Sequence, residues 1–434
     1  MRKRIRSSQE AIELQKKYMI ETYRPHNFAY SKGRGLWVYG PERGDLWTSL
    51  LYFLKCLFRK ELWKWQRQKK MEMLSCYSAL GEGHCSPEIL DAFTNQARRY
   101  WHGSRAFYND VAPLLAKELV EFCGMSKVIF MNTGTEVDER AIKIARKWGY
   151  TVKGIPKYKA EIIGCYGGFH GRTLASQSIS ADPLYEPFYP LLPGFIQIPY
   201  GDLEALEKAI NENTCAFIVE PIQGEAGVIV PPAGFLRKAK EICEKNNVLF
   251  ILDEIQTGLG RCGKRFAYEY EDAKPNVLLL GKFLGGGPGQ ISATVCDEKT
   301  ADVLKPPEDG STFSCNPMEC AAARVVLRDI VEKKLPERAY ELGSYFMEEL
   351  KELKNPYVKE VRGKGLLIAV ELKHELGGAR PFVDKLIEEG LLCHETHVHN
   401  IRFAPPLIIK KKEIDWALKK IKKVLRVQPN KSEL

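Results

Sequence analysis

The runs VLFILDEIQTGLGR (residues 248–261) and VLLLGK (residues 277–282) decide the fold. Val248 to Leu252 is apolar at every position, and so is Val277 to Leu280. A strand with one wet face alternates apolar and polar residues. A strand apolar throughout is covered on both faces, as in a parallel sheet flanked by helices. Each run ends on a charge: Asp253 closes the first, and Lys282 follows the second after one glycine. Open parallel sheets bind ligands beyond the carboxyl ends of their strands, which is where both charges fall. Buried there without partners, each would be costly.

The same pattern extends outward. Val128 to Met131, Glu161 to Cys165 and Ala216 to Val219 read as further strands. Helices are expected between them, with Ala141, Ala145 and Trp148 on one face, over 202–211 behind an Asp202 cap (Leu203, Leu206 and Ile210 inward), and over 235–245. This alternation predicts an α/β protein with a mostly parallel central sheet in a large domain over 86–318. The chain after 319 reads as a smaller α+β domain, with short strands broken at Gly363 and Gly365, a helix over 381–389, the strand Ile401–Phe403, and a last helix from about Glu413. Residues 1–85 are expected to pack with it. Within them, 45–66 (DLWTSLLYFLKCLFRKELWKWQ) fits nothing around it. It reads as an inserted amphipathic helix against a partner subunit or the protein's own surface, as translated intron, or as a membrane-surface helix.

At 434 residues the chain exceeds one compact core. The net charge of +10 comes from basic residues spread among acids, as at Glu332-Lys333-Lys334, so it reads as solvated helix faces suited to anionic small substrates rather than nucleic acid. No stretch approaches the roughly 20 apolar residues of a membrane span. Twelve scattered cysteines fit a reduced compartment, read as the cytoplasm with the mitochondrial matrix as alternative. Met1 to Gln9 is basic but too short for a convincing presequence.

A structural ion pair would satisfy Asp253 and Lys282. So would a pyridine aldehyde cofactor: the amine condenses with the aldehyde, and the carboxylate keeps the ring nitrogen protonated as an electron sink. Asn132-Thr133-Gly134-Thr135-Glu136, between a strand and a helix, would make a phosphate site, with Thr135 as N-cap and Asp138 three residues on.

With these pieces, Leu252 to Arg261, Lys274-Pro275 and Leu280-Gly281-Lys282 resemble the signature of class III aminotransferases of pyridoxal-phosphate (PLP) fold type I. The likeness spans nearly the whole chain, through Tyr77 to Cys85, Ser104 to Tyr108, Val219 to Gly227 and Ile401 to Pro406. Within the class it is stronger to the ornithine aminotransferases than to the acetylornithine or 4-aminobutyrate aminotransferases, on Tyr77 and the run RKWGYTVKGIPKYKA (146–160). The resemblance implies transfer of the δ-amine of ornithine to 2-oxoglutarate by a homodimer. It implies Lys282 as the lysine that holds PLP and moves protons, Asp253 at the ring nitrogen, Gln256 near the phenolic oxygen and Phe169 on the ring face. Gly134, Thr135 and a partner-borne Thr312 would bind phosphate; Tyr23 and Tyr77 the α-amino and carboxyl end of ornithine; Arg172 a carboxylate of 2-oxoglutarate. Glu225 would mask Arg402 for the amine donor and release it for the keto acid.

His394-Glu395-Thr396-His397-Val398-His399 is read as a polar loop, because its spacing does not put two ligands on one helix face. His84-Cys85 and His170 are read as structural. Ser86, Gly289, Asn276 and Phe313-Ser314-Cys315 depart from the class pattern. The last of these, with the insert, motivates the alternative of a non-catalytic dimeric member. A related ω-amino-acid aminotransferase is the other alternative.

Overall fold

The computed structural model describes residues 5, 7–20, 22–41, 69–180 and 182–426. The stretch 45–66 read as an insert lies outside them.

Three strands, β1 (Lys32–Arg34), β2 (Trp37–Tyr39) and β3 (Lys69–Glu72), precede the central sheet. That sheet has β4 (Lys127–Met131), β5 (Glu161–Cys165), β6 (Phe195–Ile198), β7 (Thr214–Val219), β8 (Leu249–Asp253), β9 (Val277–Leu280) and β10 (Ser292–Cys296). Their spatial order is β4-β10-β9-β8-β7-β5-β6. β10 runs antiparallel to both neighbours; the pairs from β9 to β6 are parallel. Phe217, Val219, Phe250, Leu252, Leu278 and Leu280 enter one core, while Ala216, Ile218, Leu249, Ile251, Val277 and Leu279 enter another. Each strand therefore feeds a core on both faces, which is why it is apolar throughout.

The C-terminal part forms an antiparallel sheet from β11 (Val358–Lys364), β12 (Leu367–Leu372), β14 (His394–Thr396) and β15 (Asn400–Phe403), in the order β11-β12-β15-β14. The short β13 (Leu391–Leu392) leaves it to pair in parallel with β3. The two ends of the chain thus share one sheet, β1-β2-β3-β13. No helix among the described residues is long and apolar enough to cross a membrane.

β3 leads into an unusual turn. Ser75, Cys76, Tyr77 and Ser78 all have left-handed backbones, with φ of 50°, 48°, 58° and 76°. For residues with a Cβ this costs roughly 1–2 kcal/mol each. Glu72 holds the turn: its Oε1 accepts from the backbone N–H of Leu74 and of Ser75, each at 3.0 Å, and its Oε2 accepts from the Tyr30 hydroxyl at 2.9 Å. His84 reaches the same carboxylate at 3.6 Å, so it braces this turn rather than pairing with Cys85.

Glu72→Ala removes all three hydrogen bonds and should cost about 2–4 kcal/mol of stability, read from urea unfolding. A loss under about 0.5 kcal/mol would show that the turn is held by other contacts.

Candidate active site

Asp253, the last residue of β8, is buried. Its Oδ1 accepts from the Ile255 N–H at 3.0 Å, and its Oδ2 accepts from His170 Nδ1 at 2.8 Å. Asp138 Oδ1 lies 3.5 Å from the same ring nitrogen, fully buried. Burial, with Asp253 nearby, raises the Asp138 carboxyl well above its ordinary value. Burial alone would lower His170, but Asp138 and Asp253 together raise it well above its ordinary value. These directions describe a neutral acid at Asp138 and an imidazolium at His170.

Lys282 follows β9 and is itself left-handed, with φ of 45°. Burial lowers its amine below the ordinary value; Glu225 and Asp253 pull the other way, and Arg402 adds to the depression. A desolvated lysine with a larger neutral fraction is a better nucleophile. Glu220, just after β7, accepts from the Phe169 N–H at 2.9 Å and the Gly224 N–H at 3.3 Å. Burial pushes it up to about 7.

The expected Glu225–Arg402 pair is present. Arg402 Nη1 donates to Glu225 Oε1 at 2.5 Å, and Gln256 Nε2 donates to the same oxygen at 3.1 Å. Burial would raise Glu225, but Arg402 and Lys282 overcome it and hold the carboxyl at about 2. Arg402 is 1 % exposed, and its Nε and Nη2 have no hydrogen-bond partner. Buried donors of this kind are rarely left unpaired in a finished site. Its guanidinium sits 5.3 Å from the centre of the Tyr77 ring, so the left-handed turn delivers Tyr77 to this charge. Tyr23 is exposed, with the Arg172 guanidinium 5.2 Å over its ring.

The phosphate corner differs from expectation in one respect. The helix Gly134–Trp148 is capped by Thr133, not Thr135. Glu136 Oε2 accepts from the Thr133 N–H at 2.7 Å and the Asn132 N–H at 3.0 Å. A carboxylate three residues into a helix closes the capping box at Thr133, which frees Thr135. The Thr135 hydroxyl turns instead to Ser176 Oγ at 2.5 Å and Thr173 Oγ1 at 3.4 Å. Gly171 has φ of +113°, and a Cβ there would fall 2.3 Å from Thr135 Oγ1. Gly134 lies over Ile255 at the start of this helix, and Phe169 is half-buried beside Glu220. Thr312 is exposed; with Arg105, Tyr108 and Ser311 it lines a cavity of about 940 Å³ next to β4.

Two buried acids beside Asp253 were legible but given no place in the site, Asp138 having been named only with the helix cap. Asp138 lies three residues before Ala141 and seven before Ala145, so it is a charge on the buried stripe of its helix. Glu220 follows an all-buried strand, as Asp253 does. Asn276, a departure from the class pattern, accepts from the Phe250 N–H at 2.9 Å and donates to Asp297 at 2.8 Å, tying β8 to the loop after β10.

Residues 60–425 match the family model for class-III aminotransferases, and the chain belongs to that family. It is 48% identical over 416 residues to the ornithine aminotransferase of Geobacillus sp. (strain WCH70), covering 96% of this chain and 98% of that one. The fold matches the ornithine aminotransferase of Toxoplasma gondii with a TM-score of 0.88 at 38% identity, over 97% and 95% of the two chains. It matches the acetylornithine aminotransferase of Elizabethkingia anophelis with a TM-score of 0.83 at 38% identity, over 97% and 100%.

The cofactor of this class is PLP. The residues present fit it: a depressed lysine amine, a carboxylate fixed by an imidazolium, a hydroxyl cluster at a helix start, and a buried Gln256 Oε1 without a partner.

Glu225 titrates far below an unfolded glutamate at about 4.3. The pair therefore contributes its full stability above that value and loses it as pH falls toward about 2. Glu225→Gln should be less stable than wild type by on the order of 2–3 kcal/mol at pH 6, with the gap narrowing between pH 5 and pH 2.5. Unfolding followed across that range checks it; a gap independent of pH would contradict the assignment.

Proposed function

We propose that the protein moves the δ-amino group of L-ornithine to 2-oxoglutarate, giving glutamate-5-semialdehyde and L-glutamate. The observation that carries this reading is Arg402: buried, joined to Glu225 by one nitrogen, with two further donors unpartnered. The two halves of the reaction need opposite pockets. An amine donor that enters δ-end first brings no carboxylate to the cofactor, so a free arginine there would be a liability. The keto acid brings an α-carboxylate and needs it. A guanidinium that is masked in one half and available in the other serves both.

PLP, when bound, supplies an electron sink next to the carbon that carries the amine. Lys282 holds it and takes up or returns the proton of that carbon at Nζ. Asp253, oriented by His170, would keep the ring nitrogen charged, and Gln256 would meet the phenolic oxygen. Phe169 covers the ring face. Gly134 and Thr135 take the phosphate, joined by Thr312 from a second copy of the chain. Tyr23 and Tyr77 hold the α-amino and carboxyl end of ornithine, and Arg172 a carboxylate of 2-oxoglutarate. A homodimer is supported by the exposed aromatics Trp101, Phe107, Tyr108 and Phe313; Tyr108 lines the cavity beside Thr312, and the Phe313 ring lies 5.7 Å from that of His102, which lines it too. We read 86–318 as the cofactor-binding domain and 319–434 as the smaller one, with 1–85 packed on it; the β3–β13 pairing supports that division.

Steady-state assays with ornithine, N-acetylornithine and 4-aminobutyrate should show kcat/KM highest for ornithine by at least about tenfold, or 1.4 kcal/mol. A preference for N-acetylornithine would overturn the donor and leave the class intact. Lys282→Ala should abolish both turnover and the visible absorbance of the purified protein. Sedimentation should give a dimer, and Thr312→Ala should weaken PLP binding while leaving that dimer in place.

A further inference from the structure

His26 comes from the N-terminal segment and His394 and Glu395 from β14, yet three of their side-chain atoms converge. His26 Nε2 lies 3.3 Å from His394 Nδ1 and 3.3 Å from Glu395 Oε2, and the last two are 3.5 Å apart. This is nearly an equilateral triangle. Ligands at about 2.0–2.1 Å from a tetrahedral zinc ion stand about 3.3–3.4 Å from one another, so the triangle has the size of one face of that tetrahedron.

The protons point the same way. His26 Nδ1 donates to Asp384 Oδ1 at 2.7 Å. In the neutral ring that bond leaves the lone pair on Nε2, the arrangement seen when a metal-bound histidine is oriented by a carboxylate behind it. Glu395 Oε2 is buried and has no hydrogen-bond partner. A lone pair, a carboxylate oxygen and a second imidazole nitrogen therefore face one another, and a cation between them would relieve the repulsion.

The surrounding charges permit it. Arg380 donates to Glu395 Oε1 at 2.9 Å and to both oxygens of Asp384, at 3.1 Å to Oδ2 and 3.2 Å to Oδ1, which leaves Glu395 Oε2 to the imidazoles. Two carboxylates stand against one guanidinium around the two imidazole rings. The three ligands are half-buried.

We propose that His26, His394 and Glu395 form a binding site for a divalent transition-metal ion of the zinc type, with Asp384 as the carboxylate that orients His26. The His394 ring meets the Tyr77 ring edge-on at 6.0 Å between centres, so the site sits at the rim of the pocket that holds Arg402. A bound ion would pin the segment carrying Tyr23 and His26 to β14. The inference concerns ion binding alone and does not depend on which amine donor the enzyme uses.

The test uses the PLP-loaded protein, freed of metal by a chelator and then titrated with zinc against a chromophoric competitor, with cobalt(II) as a spectroscopic substitute. We expect one zinc per chain and visible cobalt bands of a four-coordinate site. His26→Gln and His394→Gln should each weaken zinc at least tenfold, and Asp384→Asn about tenfold. His397→Asn, in the turn after β14, should bind as wild type does. Zinc should raise the thermal midpoint of the wild type and leave that of His394→Gln unmoved; the midpoints without metal show whether each variant folds. No stoichiometric zinc, or equal binding by wild type and both histidine variants, means an adventitious ion only and overturns the proposal.

Discussion

Lys282 and Asp253 stand at the carboxyl ends of adjacent parallel strands, and neither keeps the hydration it would have in water. The rest of the site is arranged to make that burial tolerable. Asp253 is offset by His170, and Asp138, a neutral acid, closes the far side of that ring. On the other side Lys282 faces Glu225, and Glu225 is held by Arg402. The result is a row of alternating charge that runs from the floor of the site to its mouth. Each member is acceptable because of its neighbours, and removing one leaves another buried without compensation. Burial lowers the lysine against the pull of Glu225 and Asp253, and the same row leaves an arginine with donors to spare.

Precision here is bought with backbone strain. Lys282 and the four residues Ser75 to Ser78 are all left-handed. Such conformations persist only where the surroundings over-determine them. For Tyr77 the surroundings are Glu72, Tyr30 and the sheet that joins β3 to β13. A site residue near position 77 is thus positioned by contacts with residues near 392, so the small C-terminal elements and the N-terminal segment have to form together for the pocket to exist. The backbone confirms this coupling: Met73 donates to the Leu392 carbonyl and accepts from the Ala404 N–H.

Strands β7, β8 and β9 could be read from their residues because burial on both faces leaves a continuous apolar run. β10 and β6 could not. Ser292 and Thr294 are buried in β10, but their hydroxyls donate to the carbonyls of Thr133 and Val137, so a pattern that reads as half-wet belongs to a covered strand. Gln197 in β6 is satisfied in the same way by the Ser178 carbonyl. The Asp253, Lys282, Glu225 and Arg402 set was visible because it lies at strand ends or in family motifs. The helix start was misplaced by two residues, since both Thr133 and Thr135 have an acid three positions on and only the backbone conformation decides between them. His170 was rightly read as structural in the narrow sense, yet its partner is the key carboxylate, a contact 83 positions apart that no local pattern encodes.

Since likeness of fold extends to aminotransferases with different donors, the fold cannot choose the donor; the charges in the pocket must. Consider what happens at Arg402 when a keto acid arrives. If Glu225 simply left, Arg402 would lose its partner, and a buried guanidinium alone is costly. If the substrate carboxylate first bonds Nε and Nη2, which have no partner, the arginine is never uncompensated, and Glu225 can move after the substrate has arrived. The exchange then replaces one carboxylate by another and is nearly neutral in energy. Gln256, which donates to Glu225 in the masked state, is placed to follow the displaced carboxylate or to hold it. An amine donor carries no such anion to this point, leaves the pair closed, and meets a pocket whose mouth is neutral. On the proposed reading, one buried arginine, bonded through Nη1 to Glu225 and the Gly224 carbonyl and with Nε and Nη2 open, would let a single site accept two substrates of opposite demand in turn.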